Sequence, residues 1–425
     1  MEIVKKGLMK RTMNKTYLQM LIVLSFFCFQ KQVTGQTLDS LFRLAVENNS
    51  ELRAVQSEYQ AILAKQDQVS QLPNPQLGVA IPVLRPETRL GPQVLMVSAS
   101  QMFPWFGTFD SKKDLVIQMS KAKFEELAAI KLDLFFQIKI AYYQLVFLKN
   151  KEGLYRESLE NYKAIESIAV AKVEAGQSSV ADVLRVQAKI DEMESVLNQI
   201  PNDALDLLAQ INYVTNVPFN QQVNLIDSIA TNLIDYNLDS YKSKIEKHHP
   251  IIKKLEYQIA VSNSRLKLNE KLNKPTFGVG LDYSLVNPRV DATPLNNGQD
   301  IFIPKVMVSI PLYRKNYKAR INEESLNQDA LRHKKESATD LVLSRLVTYK
   351  SDYDNAQISS ELASSQLDKI SSAYEILLAN YSTGGKKFEE LLTTQNEIIQ
   401  LRLKSYWSSL NMGIAKAQIQ RLTEF

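Results

Sequence analysis

Residues 72–79 of this chain read LPNPQLGV, and residues 272–279 read LNKPTFGV. Proline, glycine and valine fall at matching places in the two phrases, which lie two hundred positions apart. Signals that recur at one fixed offset are typical of a repeated structural unit. We therefore predict an internal duplication, with a first repeat over residues 36–237 and a second over residues 238–425.

Most of the sequence around these phrases has the periodicity of long helices. From Phe109 to Glu174 there is no proline and a single glycine, and apolar residues recur at steps of three and four. At about 1.5 Å per residue this predicts a helix on the order of 100 Å long, which suits a coiled coil, a membrane-crossing bundle or a tubular assembly. Further helices are predicted at residues 51–71, 179–213, 251–273, 318–380 and 388–422.

Four segments instead alternate apolar residues with small or polar ones, as strands do. In residues 277–285, one face carries Phe277, Val279, Leu281 and Tyr283, while the other carries glycine, aspartate and serine. We predict strands at residues 76–84, 93–103, 277–285 and 305–313. They would form one hairpin in each repeat, over residues of about 75–104 and 275–313.

The length of these strands bears on what they do. Nine to eleven residues with one apolar face are typical of a transmembrane strand, although a half-buried hairpin in a soluble domain has the same alternation. Two hairpins cannot close a barrel alone, because about eight strands are the usual minimum. Since open strand edges favour association, we predict that three chains with four strands each close a 12-stranded barrel. The predicted fold class is mainly α with a small β part.

Residues 1–35 have the composition of a secretory signal peptide, with basic residues before a short apolar stretch. We expect cleavage after Gly35. Cys28 is the only cysteine and would leave with this segment, the alternative being a lipid-anchoring cysteine. The segment holds six of the 51 basic and one of the 46 acidic residues, so the formal net charge of the mature chain would be zero. This balance argues against a nucleic-acid partner.

The usual signatures of enzymes and cofactor sites are missing from the sequence. No glycine-rich phosphate loop precedes a basic helix start, and the three histidines are His248, His249 and His333. For the adjacent pair, a solvated helix start is the main interpretation and a metal site is the alternative. We therefore predict that the protein is not an enzyme and holds no cofactor or metal.

Each predicted repeat also contains a turn between two long helices, which we call a tip. The first tip lies in VEAGQSSVADVLRVQ, residues 173–187, and the second in YSTGGKKFEELLTTQ, residues 381–395. Gly176 can end a helix in the left-handed conformation, and Ser179 with Asp182 forms a capping-box pattern that starts the next helix. The second tip has two glycines but lysines in place of the hydroxyl cap, so its helix restart is less well specified.

The repeated plan, the phrase LPNPQLGV, the sequence QMFPWFGTF at residues 101–109 and the two tips together resemble the TolC family of bacterial outer-membrane efflux proteins. The resemblance covers residues 37–425, and FPWFG is more similar to the heavy-metal-exporter branch than to the drug-exporter branch. It implies a homotrimer, with a β-barrel in the lipid of the outer membrane and a tunnel of helices, an α-barrel, across the periplasm.

The resemblance also implies partners. The protein would be the outer-membrane channel of a tripartite efflux or type I secretion system. It would dock a periplasmic adaptor, also called a membrane fusion protein, and an inner-membrane pump of the resistance-nodulation-division type or an ABC transporter. Cargo in this family is selected mostly by the pump, so the sequence names no cargo.

Three sets of residues receive roles from the same resemblance. The lipid-facing strand would present Phe277, Val279, Leu281 and Tyr283. The periplasmic gate would consist of Asp182, Tyr381, Lys386 and Glu390. The tips that dock the adaptor would include Gly176, Ser179, Gly384 and Gly385. Lys386 stands where a gating arginine is usual, and Thr393 replaces a second acid of the entrance, so a less negative entrance is expected.

Two other classes of protein, an adaptor or scaffold and a hydrolase, share some of these features. A periplasmic coiled-coil adaptor or scaffold without a pore would share the long helices, but it does not need four strands of membrane length. An envelope-bound hydrolase would need a nucleophile with a base nearby, and the sequence shows no such motif.

Overall fold

The computed structural model of the protein describes residues 37–217, 223–230, 237–383 and 387–424. In this part the chain is mainly helical with a smaller sheet, so the predicted fold class is confirmed at that level. The predicted signal peptide, with Cys28, lies outside the described residues. No helix in the described part is long and apolar enough to cross a membrane.

The two halves of the chain contain similar successions of elements. The first half contains α1 (Leu38–Asn48), α2 (Ser50–Val69), β1 (Gln76–Ala80), β2 (Glu87–Thr88), β3 (Gly91–Phe103), α3 (Thr108–Glu174) and α4 (Val180–Thr215). The second half contains α5 (Leu238–His248), α6 (Pro250–Leu272), β4 (Thr276–Val286), β5 (Ile301–Ser309), α7 (Lys315–Ser382) and α8 (Phe388–Thr423). Two helices, strands, one long helix and a further helix therefore follow one another in each half.

The longest helices are α3, with 67 residues, and α7, with 68 residues. Neither contains proline, which would remove a backbone hydrogen bond and bend the helix. Helix α3 packs against α2, α4, α6 and α8, while α7 packs along α8 and α6. The predicted long helices are thus present, and each is joined to a shorter partner through a tip.

The sequence patterns did not predict α1 and α5, which have eleven residues each. Their starts are capped, because Ser40 N–H donates to Thr37 Oγ1 at 3.4 Å and Ser240 N–H donates to Asn237 Oδ1 at 3.0 Å. Eleven residues span only about three helical turns, and so few turns do not make a periodicity stand out.

His249 lies between α5 and α6 and is 4% exposed. Its Nδ1 atom accepts a hydrogen bond from Ile251 N–H at 3.3 Å and caps the start of α6. Burial and, to a smaller extent, the Arg421 cation lower the pKa of His249 to about 4. The expected solvated helix start is therefore wrong for His249, whereas His248 is exposed.

The described strands form one antiparallel sheet in the order β1-β3-β4-β5, with β2 also paired to β3. The predicted partners are confirmed, because β1 pairs with β3 and β4 pairs with β5. The β3–β4 pairing joins the two hairpins, with Val97 opposite Tyr283 and Phe103 opposite Phe277. Within one chain, β1 and β5 are left as the open edges of the sheet.

Two strands differ in extent from the prediction. Strand β1 ends at Ala80 instead of residue 84, because Pro82 has no N–H to donate to a neighbouring strand. Strand β5 lies four residues earlier than predicted, and Pro311 follows its end. Pro304 is tolerated inside β5 because this strand lies at the edge of the sheet.

Apolar side chains are buried in separate clusters along the helices. One cluster joins α1, α3 and α4 through residues such as Leu41, Ile138 and Ile211. Another lies beside the tips and brings together Tyr162 of α3, Tyr381 of α7 and the first turns of α4 and α8. This tip cluster contains one of the predicted gate residues.

Candidate functional site

One face of the sheet is apolar and open to the surroundings of the chain. Phe277, Val279, Leu281 and Tyr283, the residues predicted to face lipid, lie on this face. Val279 is 53% exposed, and its partner in β5, Val306, is 79% exposed. Tyr283 pairs with Phe302, which is also exposed. The apolar surface therefore continues across neighbouring strands.

The opposite face carries glycines and polar groups. Lys305 Nζ lies 2.6 Å from Asp282 Oδ1, forming an ion pair between β4 and β5. Gly280 provides the space for this contact, because a Cβ atom there would lie 2.7 Å from Lys305 Cε and 3.0 Å from the Ala99 carbonyl oxygen. The Lys305 side chain passes over Gly280 to reach the Asp282 carboxylate.

The first tip is a tight turn between α3 and α4. Gly176 adopts a φ of 69°, in the left-handed region that favours glycine. Gln177 N–H donates to the Lys172 carbonyl at 2.8 Å and closes the end of α3. Ser179 Oγ then accepts from Ala181 N–H at 3.1 Å and caps α4. Gly176 and Ser179 therefore shape the turn.

Asp182 does not complete the predicted capping box. Its Oδ2 atom accepts a hydrogen bond from the Ser178 hydroxyl at 2.7 Å. The Asp182 N–H donates to the Ser179 carbonyl at 3.0 Å. The half-buried carboxylate is thus held by a neighbouring hydroxyl.

The second tip is described only at its two ends. Gly384, Gly385 and Lys386, which were predicted to take part in docking and gating, lie outside the described residues. Helix α7 ends at Ser382 and α8 begins at Phe388. Glu390, in the first turn of α8, pairs with Lys387 at 2.9 Å, and both side chains are exposed.

Tyr381 lies inside the tip cluster and is 2% exposed. Its ring centroid is 5.1 Å from that of Phe388, and Lys172 Nζ lies 4.3 Å from the Tyr381 centroid. This distance fits a cation–π contact. The tyrosine is therefore held between one lysine of the first half of the chain and one aromatic ring of the second half.

The Tyr381 hydroxyl has no hydrogen-bond partner among the described residues. Burial raises the pKa of Tyr381, the nearby Ser178 hydroxyl lowers it, and the Asp182 carboxylate raises it. A buried hydroxyl without a partner is costly, by about 1–3 kcal/mol. The structure thus brings Asp182 and Tyr381 into one region, while Glu390 lies at the surface nearby.

Sequence reasoning missed three cations at these sites. Lys305 could have been found, because the alternation from residue 305 to residue 308 puts it on the face of Gly280. Lys172 lies near the end of α3 and meets Tyr381, near the end of α7, only where the two tips come together, so no local signal was available. Lys387 is one residue from Lys386, and spacing alone does not distinguish which lysine reaches Glu390.

Comparisons with known proteins agree with this architecture. The family model described as "Outer membrane efflux protein" matches residues 41–216. CusC, studied for folding and transmembrane channel formation, has a TM-score of 0.75 at 14% identity, with 92% of each chain covered. The outer membrane protein VceC of Vibrio cholerae has a TM-score of 0.72 at 11% identity, covering 91% of this chain and 95% of its own.

The open state of the outer membrane channel MtrE of Neisseria gonorrhoeae has a TM-score of 0.70 at 14% identity. The alignment covers 91% of this chain and 88% of MtrE. At such identities these similarities show a shared fold. The search among curated proteins found no match to the sequence.

Proposed function

We propose that this chain is a member of the outer membrane efflux protein family, whose model matches residues 41–216, and that it is a passive export duct through the outer membrane and the periplasm. The strands would line the membrane part and the long helices the periplasmic part. The proposal rests above all on the sheet, whose one face is apolar and exposed and whose other face carries glycines and an ion pair. No catalytic role is assigned.

The membrane part would be a barrel of three chains. A single chain leaves β1 and β5 without outer neighbours. Such edges expose unpaired N–H and C=O groups, which cannot remain unsatisfied in lipid. Pairing β5 of one copy with β1 of the next would satisfy both edges. Three copies would then supply the 12 strands predicted from the sequence.

The periplasmic part would be built from two related units. Capping residues occur at matching places, with Thr37 and Asn237 before the first helix of each half and Asn49 and His249 before the second. This offset supports the proposed internal duplication. Three copies, each with two helical hairpins, would surround a tunnel.

Inserting a charge into the exposed face tests the membrane assignment. Val279→Arg should impair assembly, because an arginine near the bilayer midplane costs about 2–4 kcal/mol. Ser100→Arg is the matched control, since Ser100 pairs with Gly280 on the opposite face. Heat-modifiable trimer in outer-membrane extracts would be measured. Equal assembly of the two variants would show that the faces are assigned wrongly.

Gly280→Ser is not a suitable control, although serine is small and polar. Because the Lys305 side chain and the Ala99 carbonyl lie against Gly280, a serine there would disturb the ion pair. Cell fractionation addresses the alternative function. A water-soluble periplasmic protein would favour a scaffold without a pore.

We further propose that the tips close the duct. The proposed gate comprises Asp182, Tyr381, Lys386 and Glu390, of which Lys386 lies outside the described residues. Two observations support it: the burial of Tyr381 without a hydrogen-bond partner and the nearby Asp182 carboxylate. A buried hydroxyl that lacks a partner in one arrangement is free to gain one in another.

The gate proposal is tested by conductance. Tyr381→Phe combined with Lys386→Ser should loosen closure and raise single-channel conductance in planar bilayers. Tyr162→Phe is the control, because Tyr162 lies in the same cluster and its hydroxyl also lacks a described partner. Unchanged conductance in the double variant, with trimers intact, would assign closure to other residues.

The adaptor would dock at the tips, near Gly176, Ser179, Gly384 and Gly385. Gly176 and Ser179 shape a turn whose neighbour Val180 is 60% exposed, and Leu184 one turn later is 61% exposed. These apolar side chains at the tip offer a contact surface. A periplasmic adaptor and a pump of the resistance-nodulation-division or ABC type would complete the exporter.

A further inference from the structure

Basic residues are concentrated where the strands meet the helices. The end of β3, the start of β4 and the end of β5 lie at one edge of the sheet, because Phe103 pairs with Phe277 and Thr276 pairs with Ser309. Eight basic side chains outside the strands lie within ten residues of these strand ends. We call six of them the basic collar: Lys113, Lys271, Lys274, Arg314, Lys315 and Lys318.

Acidic residues are few in the same region. Segments 104–114, 270–275 and 310–320 together contain eight lysines and arginines but three aspartates and glutamates. The segment after β5 has four of these cations and no acid. The local charge is therefore positive, although the described helices farther away carry both signs.

The collar cations have no ion pair with any described residue, and all of them except the half-buried Lys271 are exposed. Several lysines farther along the helices have ion pairs. Lys123 pairs with Glu58 at 2.6 Å, and Lys254 pairs with Glu126 at 2.7 Å. Unpaired exposed lysines also occur farther along the helices, so the collar is set apart by the crowding of its cations and by the shortage of acids around them, which points to an anion supplied from outside the chain.

Aromatic side chains lie between the apolar sheet face and the collar. The Trp105 ring stacks on Phe277 with centroids 5.7 Å apart. Phe106 is 79% exposed and Tyr313 is 89% exposed. Exposed aromatic rings of this kind are enriched at the boundary between lipid tails and headgroups. The collar would therefore lie at the depth of the headgroups.

We propose that the basic collar binds the phosphate groups of anionic phospholipids in the periplasm-facing leaflet of the outer membrane. The inference rests on the proposed function, since it requires the strands to span that membrane. Long lysine and arginine side chains can keep their stems on apolar surface while their charges reach phosphates. The collar would fix how deeply the strands sit in the membrane.

The test uses the full chain in nanodiscs of phosphatidylcholine, alone or mixed with phosphatidylglycerol. The collar variant is Arg314→Gln, Lys315→Gln and Lys318→Gln combined. Native mass spectrometry would measure the retained phosphatidylglycerol. We expect retention about tenfold weaker or more in the variant, because each such cation contributes about 1 kcal/mol near an anionic surface. Retention by the wild type should also fall as salt is added.

The matched control removes three other exposed lysines without a described ion pair: Lys242→Gln, Lys369→Gln and Lys404→Gln. It should retain phosphatidylglycerol as the wild type does. Equal retention by the collar variant and the control would overturn the proposal. So would full competition by soluble glycerol phosphate, which would indicate a site for free phosphate. A wild type that conducts in neither lipid would instead contradict the proposed function.

Discussion

Gly280 and Lys305 depend on each other on the polar face of the sheet. Any side chain at residue 280 would meet the lysine stem, so the glycine allows Lys305 to reach Asp282. If this face lines the duct, each chain contributes one cation and one anion that neutralise each other. The pair would limit the preference of the membrane part for ions of either sign.

Removing the Lys305 charge should show whether the ion pair limits the preference of the pore for cations or anions. Lys305→Met keeps an unbranched side chain over Gly280 but leaves the Asp282 carboxylate without its partner. We expect a several-fold rise in the permeability ratio of potassium to chloride, because uncompensated carboxylates attract cations. Reversal potentials in a potassium chloride gradient would measure it.

The double variant Lys305→Met with Asp282→Asn provides the control, because it removes both charges. Its permeability ratio should return close to that of the wild type. A shift in the double variant equal to that in the single variant would mean that the lost methylene packing, and not the charge, alters the pore.

At the scale of elements, the long helices could be predicted because their periodicity extends over many turns without proline. The strands could be predicted from their alternation, but the extent of β1 and β5 depended on prolines whose effect is set by the sheet edge. The contact of Lys172 with Tyr381 could not be predicted, since it joins residues that lie far apart in the sequence and meet only where the ends of α3 and α7 come together at the tips.

The junctions before α2 and α6 are capped by different residues, Asn49 and His249. Only the histidine titrates. Its pKa is about 6.5 in an unfolded chain and about 4 in the folded protein. Between these values the unfolded chain binds more protons, so the stability from neutral His249 is complete above about pH 6.5 and is lost as the pH falls towards about 4.

His249→Asn should remove this pH dependence, because asparagine caps the matching junction without titrating. Melting temperatures of the wild type and the variant would be compared at about pH 7 and about pH 4.5. The free energy of unfolding of the wild type should fall by on the order of 2–3 kcal/mol more than that of the variant over this range, and its melting temperature should fall with it. Parallel losses would show that other groups, such as the Arg421–Asp133 pair nearby, govern the acid sensitivity.

At the scale of the whole molecule, one chain is incomplete. The two open strand edges and the exposed apolar face require neighbours, and the described chain supplies none. A single sequence indicates this need through the strand count, whereas the number of copies comes from the size of a closed barrel.

Cross-linking tests the number of copies. Chains in outer-membrane extracts should cross-link to dimers and trimers and no further, because a third copy would close the proposed barrel. In mild detergent the free monomer should unfold or aggregate, since its β1 and β5 edges remain unpaired. A discrete, folded monomer in analytical ultracentrifugation would contradict the trimeric barrel.

The unbroken length of α3 has a mechanical consequence. A helix of 67 residues without proline behaves as a stiff rod fixed at one end by the sheet. At about 1.5 Å per residue, a tilt of roughly 3° at that end displaces the other end by about 5 Å. If the strands lie in the membrane as proposed, small rotations there would be amplified into movements wide enough to part side chains at the first tip. A force applied at the tip would act on the strands with the leverage of the whole helix.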